Sequence, residues 1–335
     1  MNQLMKYLHA TLAMLFLSVV APAANAQEHV TIALPVMNAT QSTFFVAADR
    51  GYFAKEGLIA DFQPLSGGVS IPALIGGSLN FAGSPFSATI AILKGMPLKV
   101  VYVNANKSDD QLWSMDPNVK TLAGLKGKMI AVASRGNSEE VNIRTVLAAN
   151  GFPANFVGFT AMGVGQARLM AASSGAQQYL ILNPLEVITL KRSGALAKGH
   201  LLFDFSKGFQ TAVGGLVTTD NQLQNHHDLV IKTIRAVWKG AHYVQAFPKQ
   251  ALAMVQKRFP HYDPEALKFD FDSQLKTLNV DGDLGPDAAK RELDTHAQVL
   301  GVPPGQIPPI SKVYDFSLLN EVRKQLTAEN WQPKP

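Results

Sequence analysis

The feature that most constrains this chain is a pattern that comes three times between residues 30 and 103. A short apolar run is followed by a loop rich in Gly, Ser or Asn, and then by a segment with helical spacing. The runs are 30–34, 59–62 and 81–83, and the loops after them are 37–41, 66–68 and 84–85. Runs this short, each leading into a segment of period 3.6, predict strand followed by helix, and a series of such units predicts a largely parallel sheet. Every loop delivers the chain to a helix start, where unpaired N–H groups and the positive end of the helix dipole gather. Ligands of open α/β sheets sit beyond the carboxyl ends of the strands, so these loops predict a small-molecule site.

Helices are expected over 41–55, 71–79 and 86–94, with Ser70 capping the second and Gly95 ending the third, and a buried strand over 98–103. A second relay begins near Leu122. It predicts strands at 129–133, 157–160, 179–182, 201–205 and 212–217, with helices at 138–149, 166–173 and 185–192 between them. Asn137, three residues ahead of Glu140, gives the helix at 138 a start of capping-box type. Beyond Asp220 the spacing is helical almost throughout, so two α/β units are followed by a helical tail that must pack on one of them.

The first 26 residues read as a secretion signal. Lys6 supplies the positive start, Ala10 to Ala21 is an almost unbroken apolar run, and Ala24-Asn25-Ala26 fits the cleavage rule. A dozen apolar residues fall short of the ~18–20 that span a bilayer. The expected location is the periplasm, after cleavage behind Ala26. The chain has no cysteine, which leaves no lipid-modified Cys, no disulfide and no thiolate metal site. About 309 residues remain, enough for two cores. The formal charge of +5 is scattered, without basic runs interleaved with aromatics, so no nucleic-acid partner is expected.

No nucleophile elbow, zinc-protease motif or phosphate-binding Gly-Lys-Ser/Thr loop is present. His226-His227-Asp228 reads as a solvated helix start, and Asp281-Gly282-Asp283 as a turn with too few ligands for calcium. No catalytic residue, metal or cofactor is expected.

Four blocks in order carry a family resemblance. They are Ala48-Asp49-Arg50-Gly51-Tyr52-Phe53-Ala54-Lys55-Glu56-Gly57-Leu58, then Gly67-Gly68, then Leu74-Ile75-Gly76-Gly77-Ser78-Leu79-Asn80-Phe81-Ala82, then Lys94-Gly95-Met96-Pro97-Leu98-Lys99-Val100-Val101. This series resembles the N-terminal signature of the periplasmic substrate-binding proteins of the nitrate/sulfonate/taurine and thiamine-precursor group of ABC transporters. Leu125-Lys126-Gly127-Lys128-Met129-Ile130-Ala131-Val132 and Leu216-Val217-Thr218-Thr219-Asp220 extend the likeness over nearly the whole mature chain. The resemblance implies an α/β, two-lobed type II periplasmic binding protein fold, each lobe a mixed sheet flanked by helices, with a hinge of two crossings. It implies lobe I as 27–106 with 220–335, and lobe II as 107–219. It further implies a monomer that captures a small-molecule solute in the interlobe cleft and delivers it to ABC permease subunits. A periplasmic sensing module of the same fold is the alternative.

The candidate ligand-binding residues lie at the loop ends. In the first lobe they are Asn38, Thr40 and Gln41, the backbone of Gly67 and Gly68, and the hydroxyls of Ser84 and Ser87; Asn and Thr also suit capping of their own helix. In the second lobe they are Arg135, Asn137, Ser138 and Asn183, with Thr211 near the return crossing. Arg135 is the expected clamp for a sulfonate- or carboxylate-like anion, since a guanidinium grips such groups in bidentate fashion. Glu139 and Glu140 oppose that role unless they point away or pair elsewhere. The family's Asp-Ala pair near a strand start in the second lobe is replaced here by Gly175-Ala176-Gln177-Gln178.

Overall fold

The computed structural model describes residues 27–335, and the expected signal segment, 1–26, lies outside them. Ten strands form two five-stranded sheets. The first sheet takes β1 (Glu28–Leu34), β2 (Leu58–Pro64), β3 (Phe81–Ala82), β4 (Leu98–Ala105) and β10 (Gly214–Thr219), in the order β2-β1-β3-β10-β4. The second takes β5 (Gln111–Ser114), β6 (Met129–Val132), β7 (Gly158–Ala161), β8 (Tyr179–Leu182) and β9 (His200–Asp204), in the order β7-β6-β8-β5-β9. Both sheets are mixed: β1 runs parallel to β2 and β3 while β10 is antiparallel to its neighbours, and β6 runs parallel to β7 and β8 while β5 is antiparallel to β8 and β9.

Each sheet is buried on both faces, which explains why its strands read as continuous apolar runs. One face of the first sheet packs Ile32, Phe44, Phe45, Tyr102, Val237 and Phe271 together. The other gathers Ala88, Ile92, Val217, Leu293 and Val313. In the second sheet Ile130, Ile143 and Phe159 fill one side, and Trp113, Leu180 and Val187 the other. The helical tail therefore packs on the first sheet, with the helices His227–Ala246, Pro264–Thr277 and Ser317–Ala328 on one face and Pro286–Leu300 on the other.

The chain leaves the first sheet between Ala105 and Gln111 and returns between Asp204 and Gly214. The reading of lobe II through residue 219 places the return one strand too late, because β10 pairs with β3 and β4. An apolar run does not announce which sheet it joins. The two crossings are stitched to one another: Thr211 N–H donates to the Asn106 carbonyl at 2.9 Å, Val213 N–H to Ala105 at 3.0 Å, and Phe205 N–H to Asp110 at 3.1 Å.

The helix expected over 41–55 is divided into a 3-10 turn Ala39–Gln41 and helices Ser42–Asp49 and Tyr52–Lys55. Gly51 separates the last two at φ +68°, the left-handed region that glycine enters without steric cost. The helix expected at 71–79 is Gly67–Ile75, so Gly67 and Gly68 lie in its first turn instead of a loop, and Ser66 rather than Ser70 precedes it.

Candidate functional site

The crossings run from the carboxyl end of β4 into the second sheet and from the carboxyl end of β9 back into the first, so the loops there lie at the junction of the lobes. In the first lobe Asn38 caps its own turn, its Oδ1 accepting from Thr40 N at 3.1 Å and from Thr40 Oγ1 at 2.6 Å. Gln41 is buried beside them. Gly67, Ser84 and Ser87 are brought together, for a Cβ on Gly67 would stand 2.0 Å from Ser87 Oγ and 3.3 Å from Ser84 Cβ. Gly68 is next to them on open space. The Ser84 hydroxyl is buried and has no hydrogen-bond partner.

The second lobe ties its own loops together with carboxylates. Glu139 Oε2 accepts from Ala133 N at 2.6 Å after β6, Glu186 Oε1 from Gly165 N at 2.7 Å after β7, and Glu186 Oε2 from Asn183 N at 3.0 Å after β8. Arg168, fully buried, joins the three loops: it donates to Glu139 at 3.0 and 3.2 Å, to the Gly163 carbonyl at 2.9 Å and to the Ile181 carbonyl, and stands 3.5 Å from Glu186. Burial raises the Glu139 pKa against the pull of Arg168. Asn137 and Asn183 are N-caps, accepting from Glu140 N and Glu186 N, and Ser138 opens the helix Ser138–Ala149 behind Asn137.

Arg135 is held by a carboxylate of its own lobe. Its Nε and Nη2 donate to Glu140 at 2.8 and 3.2 Å, and its guanidinium lies 5.7 Å from the Phe159 ring centroid. It borders a hollow with Gly127, Met129, Asn155 and Phe159, beside the edge strand β7. Glu140, which the sequence left open as a rival for the cleft, is the partner that holds it.

The hinge carries carboxylates that the sequence reading passed over. Asp109 and Asp110 stand in the first crossing, and Asp270 comes from the helix Pro264–Thr277. Burial, with the charge of Asp204 nearby, pushes the Asp109 pKa up to about 6 despite Lys276. Burial also raises Asp110, with Glu139 and Asp109 adding to the effect. Asp270, 4% exposed, is pushed up to about 7 by burial and the Asp109 charge, although the backbone N–H groups of Ala39 and Thr40 favour its ionised form. Among the described residues no group of three or more His, Cys, Asp or Glu stands where it would hold a metal ion.

On the other face of the first sheet a small void opens between the lobes. Thr211 and Phe209 of the second crossing line it, with Ser108, Asn142, Glu292 and His296. It holds about 30 Å³ and shares Thr145, Phe209, Arg291 and Thr295 with an adjoining hollow of about 500 Å³. Of the twelve residues chosen from sequence, Thr211 alone lines this void. Glu292 and His296 had a legible signal: with Ala288, Ala289, Leu293 and Ala297 they fall on the apolar stripe of their helix, where a polar side chain needs a reason.

Two mixed-sheet lobes, joined by two crossings and meeting over a polar gap, define the periplasmic binding protein fold. A family model described as NMT1/THI5 like matches residues 38–251, and the chain belongs to that family. No curated protein matches the chain. Among solved structures it is similar to a putative periplasmic sulfonate-binding protein of Methylobacillus flagellatus KT, with 16% identity over 92% of this chain and 98% of that one, at a TM-score of 0.70. The periplasmic aliphatic sulphonate-binding protein of Escherichia coli matches at 15% identity over 87% and 99%, with a TM-score of 0.68. The periplasmic nitrate-binding protein of Synechocystis PCC 6803 matches at 14% over 90% and 89%, with a TM-score of 0.65. At such identities the likeness is one of fold.

Proposed function

We propose that this chain is the periplasmic solute-binding component of an ABC importer, capturing a small organic solute between its lobes and delivering it to the permease. The observation that carries the reading is the gap itself. It is lined by the helix Ser138–Ala149 of one lobe, the helix Pro286–Leu300 of the other and the crossing residues Ser108, Phe209 and Thr211, so a solute there touches both lobes and favours their closed arrangement by its differential contacts. The expected sulfonate- or carboxylate-like anion came from the family resemblance and from Arg135, whose guanidinium bonds to Glu140, so the reading commits only to a small organic solute. Binding without catalysis is in keeping with the three solved structures described above, each named as a binding protein. No helix among the described residues is long and apolar enough to cross a membrane.

The test is uptake in a strain deleted for this chain, on single sources of carbon, nitrogen and sulfur. Loss of uptake of one solute, restored by the plasmid-borne gene, is the expected result. Intact uptake with a lost transcriptional response would replace transport by sensing.

A further inference from the structure

Two buried acceptors with no partner face the interlobe void. Glu292 and His296, one helical turn apart, are 4% and 1% exposed. Glu292 Oε2 accepts from Ala212 N–H at 2.6 Å, while Oε1 has no hydrogen bond. His296 Nδ1 lies 2.8 Å from the Glu292 carbonyl oxygen, which only accepts, so Nδ1 carries the proton. In the neutral ring that leaves Nε2 as an acceptor, and it too is unpaired. Buried polar groups are rarely left this way; the Tyr314 hydroxyl beside Glu292 is a buried donor that is unpaired too, so the acceptor with no donor at hand is His296 Nε2.

The second lobe adds an independent argument. Its loop N–H groups, the natural receivers of an anion at helix starts, are already taken: Ala133 by Glu139, Gly136 by Glu140, Gly165 and Asn183 by Glu186. Arg291 also lines the void, but it is exposed, with its guanidinium 5.2 Å from the Phe209 ring centroid, so positive charge lies toward solvent and the acceptors lie inside.

We infer that the interlobe pocket takes a solute whose nitrogen, an ammonium or amino group, donates a hydrogen bond to His296 Nε2 beside the Glu292 carboxylate, with its apolar remainder in the adjoining hollow. The void of about 30 Å³ admits one group the size of ammonium or water. The hollow of about 500 Å³, walled by Leu147, Phe152 and Val157, is of the size that holds small ligands. The inference rests on the solute-binding reading and adds the chemical class.

Titration calorimetry on the full chain tests it with two panels matched in size: butylamine and phenylethylamine against butanesulfonate and phenylacetate. Saturable binding of an amine is expected, weakened at least tenfold by Glu292→Gln. That variant keeps an oxygen for Ala212 N–H and turns the unpaired acceptor into a donor. His296→Phe is the second variant, since it preserves a ring against Phe86, now 4.4 Å away between centroids, and removes the Nε2 acceptor together with the Nδ1–H bond to the Glu292 carbonyl within the same helix. Amine binding that both variants leave unchanged would overturn the inference, as would a bound structure holding only water in the void. Binding confined to the nitrogen-free anions would overturn it while leaving the solute-binding reading intact. Failure of both panels would count against both.

Discussion

At Glu140 three donors converge on one carboxylate: the Arg135 guanidinium, the Gly136 N–H at 2.9 Å, and the Arg144 guanidinium at 2.9 and 3.0 Å. Burial would raise its pKa, yet these bonds bring it down to about 2 from 4.5. A carboxyl whose pKa is lower folded than unfolded stabilises fully above the unfolded value and loses that contribution as the pH falls through the folded one. Glu140→Gln should therefore cost about 2 kcal/mol at pH 7, after discounting for the exposed Arg135, and only a small remainder of that, roughly 0.4 kcal/mol, near pH 2. Denaturant midpoints of both proteins across that range check it. A deficit that persists unchanged at pH 2 would mean that packing, not charge, is at stake. At this scale the sequence was only half legible. Asn137 was visible as a cap because Asn followed by Glu three positions on is a local signal, and the same spacing from Asn183 to Glu186, which forms a full capping box, went unread. Arg135 looked equally placed, but the direction of its side chain depends on an acid that is itself held by Arg144, and spacing alone does not rank such partners. Arg168 and Asp270 were missed because their partners come from loops far away along the chain.

The elements were read more surely than the residues. The helix Ser138–Ala149 and the strand Tyr179–Leu182 begin and end where capping and apolar run length put them. The strand β5 was missed, since four residues, Gln111-Leu112-Trp113-Ser114, carry too little alternation to be told from a loop. Helix-on-helix packing makes a sharper demand at Gly240. There the helix His227–Ala246 crosses Ser42–Asp49 so closely that a Cβ would lie 2.4 Å from the Thr43 carbonyl oxygen and 2.8 Å from Ala47 Cβ. Gly240→Ala gains roughly 1 kcal/mol in helix propensity but must push the backbones apart, an overpacking cost of about 1–3 kcal/mol. The cost should win, because the obstacle is main chain and has no rotamer to yield. Thermal melting should fall by several degrees; an unchanged or raised midpoint would show that the two helices separate freely.

Over the whole molecule the two lobes meet on both faces of the first sheet. On one, Arg192 bonds to Asp263 at 2.9 Å and Glu265 at 2.6 Å, and Lys191 lies 5.8 Å from the Phe269 ring. On the other, the helix Pro286–Leu300 faces Ser138–Ala149 across the void. Both sets of contacts are exposed or sparsely packed, which suits surfaces that part and rejoin. The two-lobed fold was legible from the order of sequence blocks, whereas the strand on which the chain returns and the partners across the gap were not, because nothing local ties Thr211 to a helix some eighty residues later. Solute that draws the lobes together about the crossings will change the molecule's dimensions, and small-angle X-ray scattering with and without a bound solute reads that change. A smaller radius of gyration is expected on saturation, returning to its starting value after dialysis; an unchanged radius with a tightly bound solute would rule out closure.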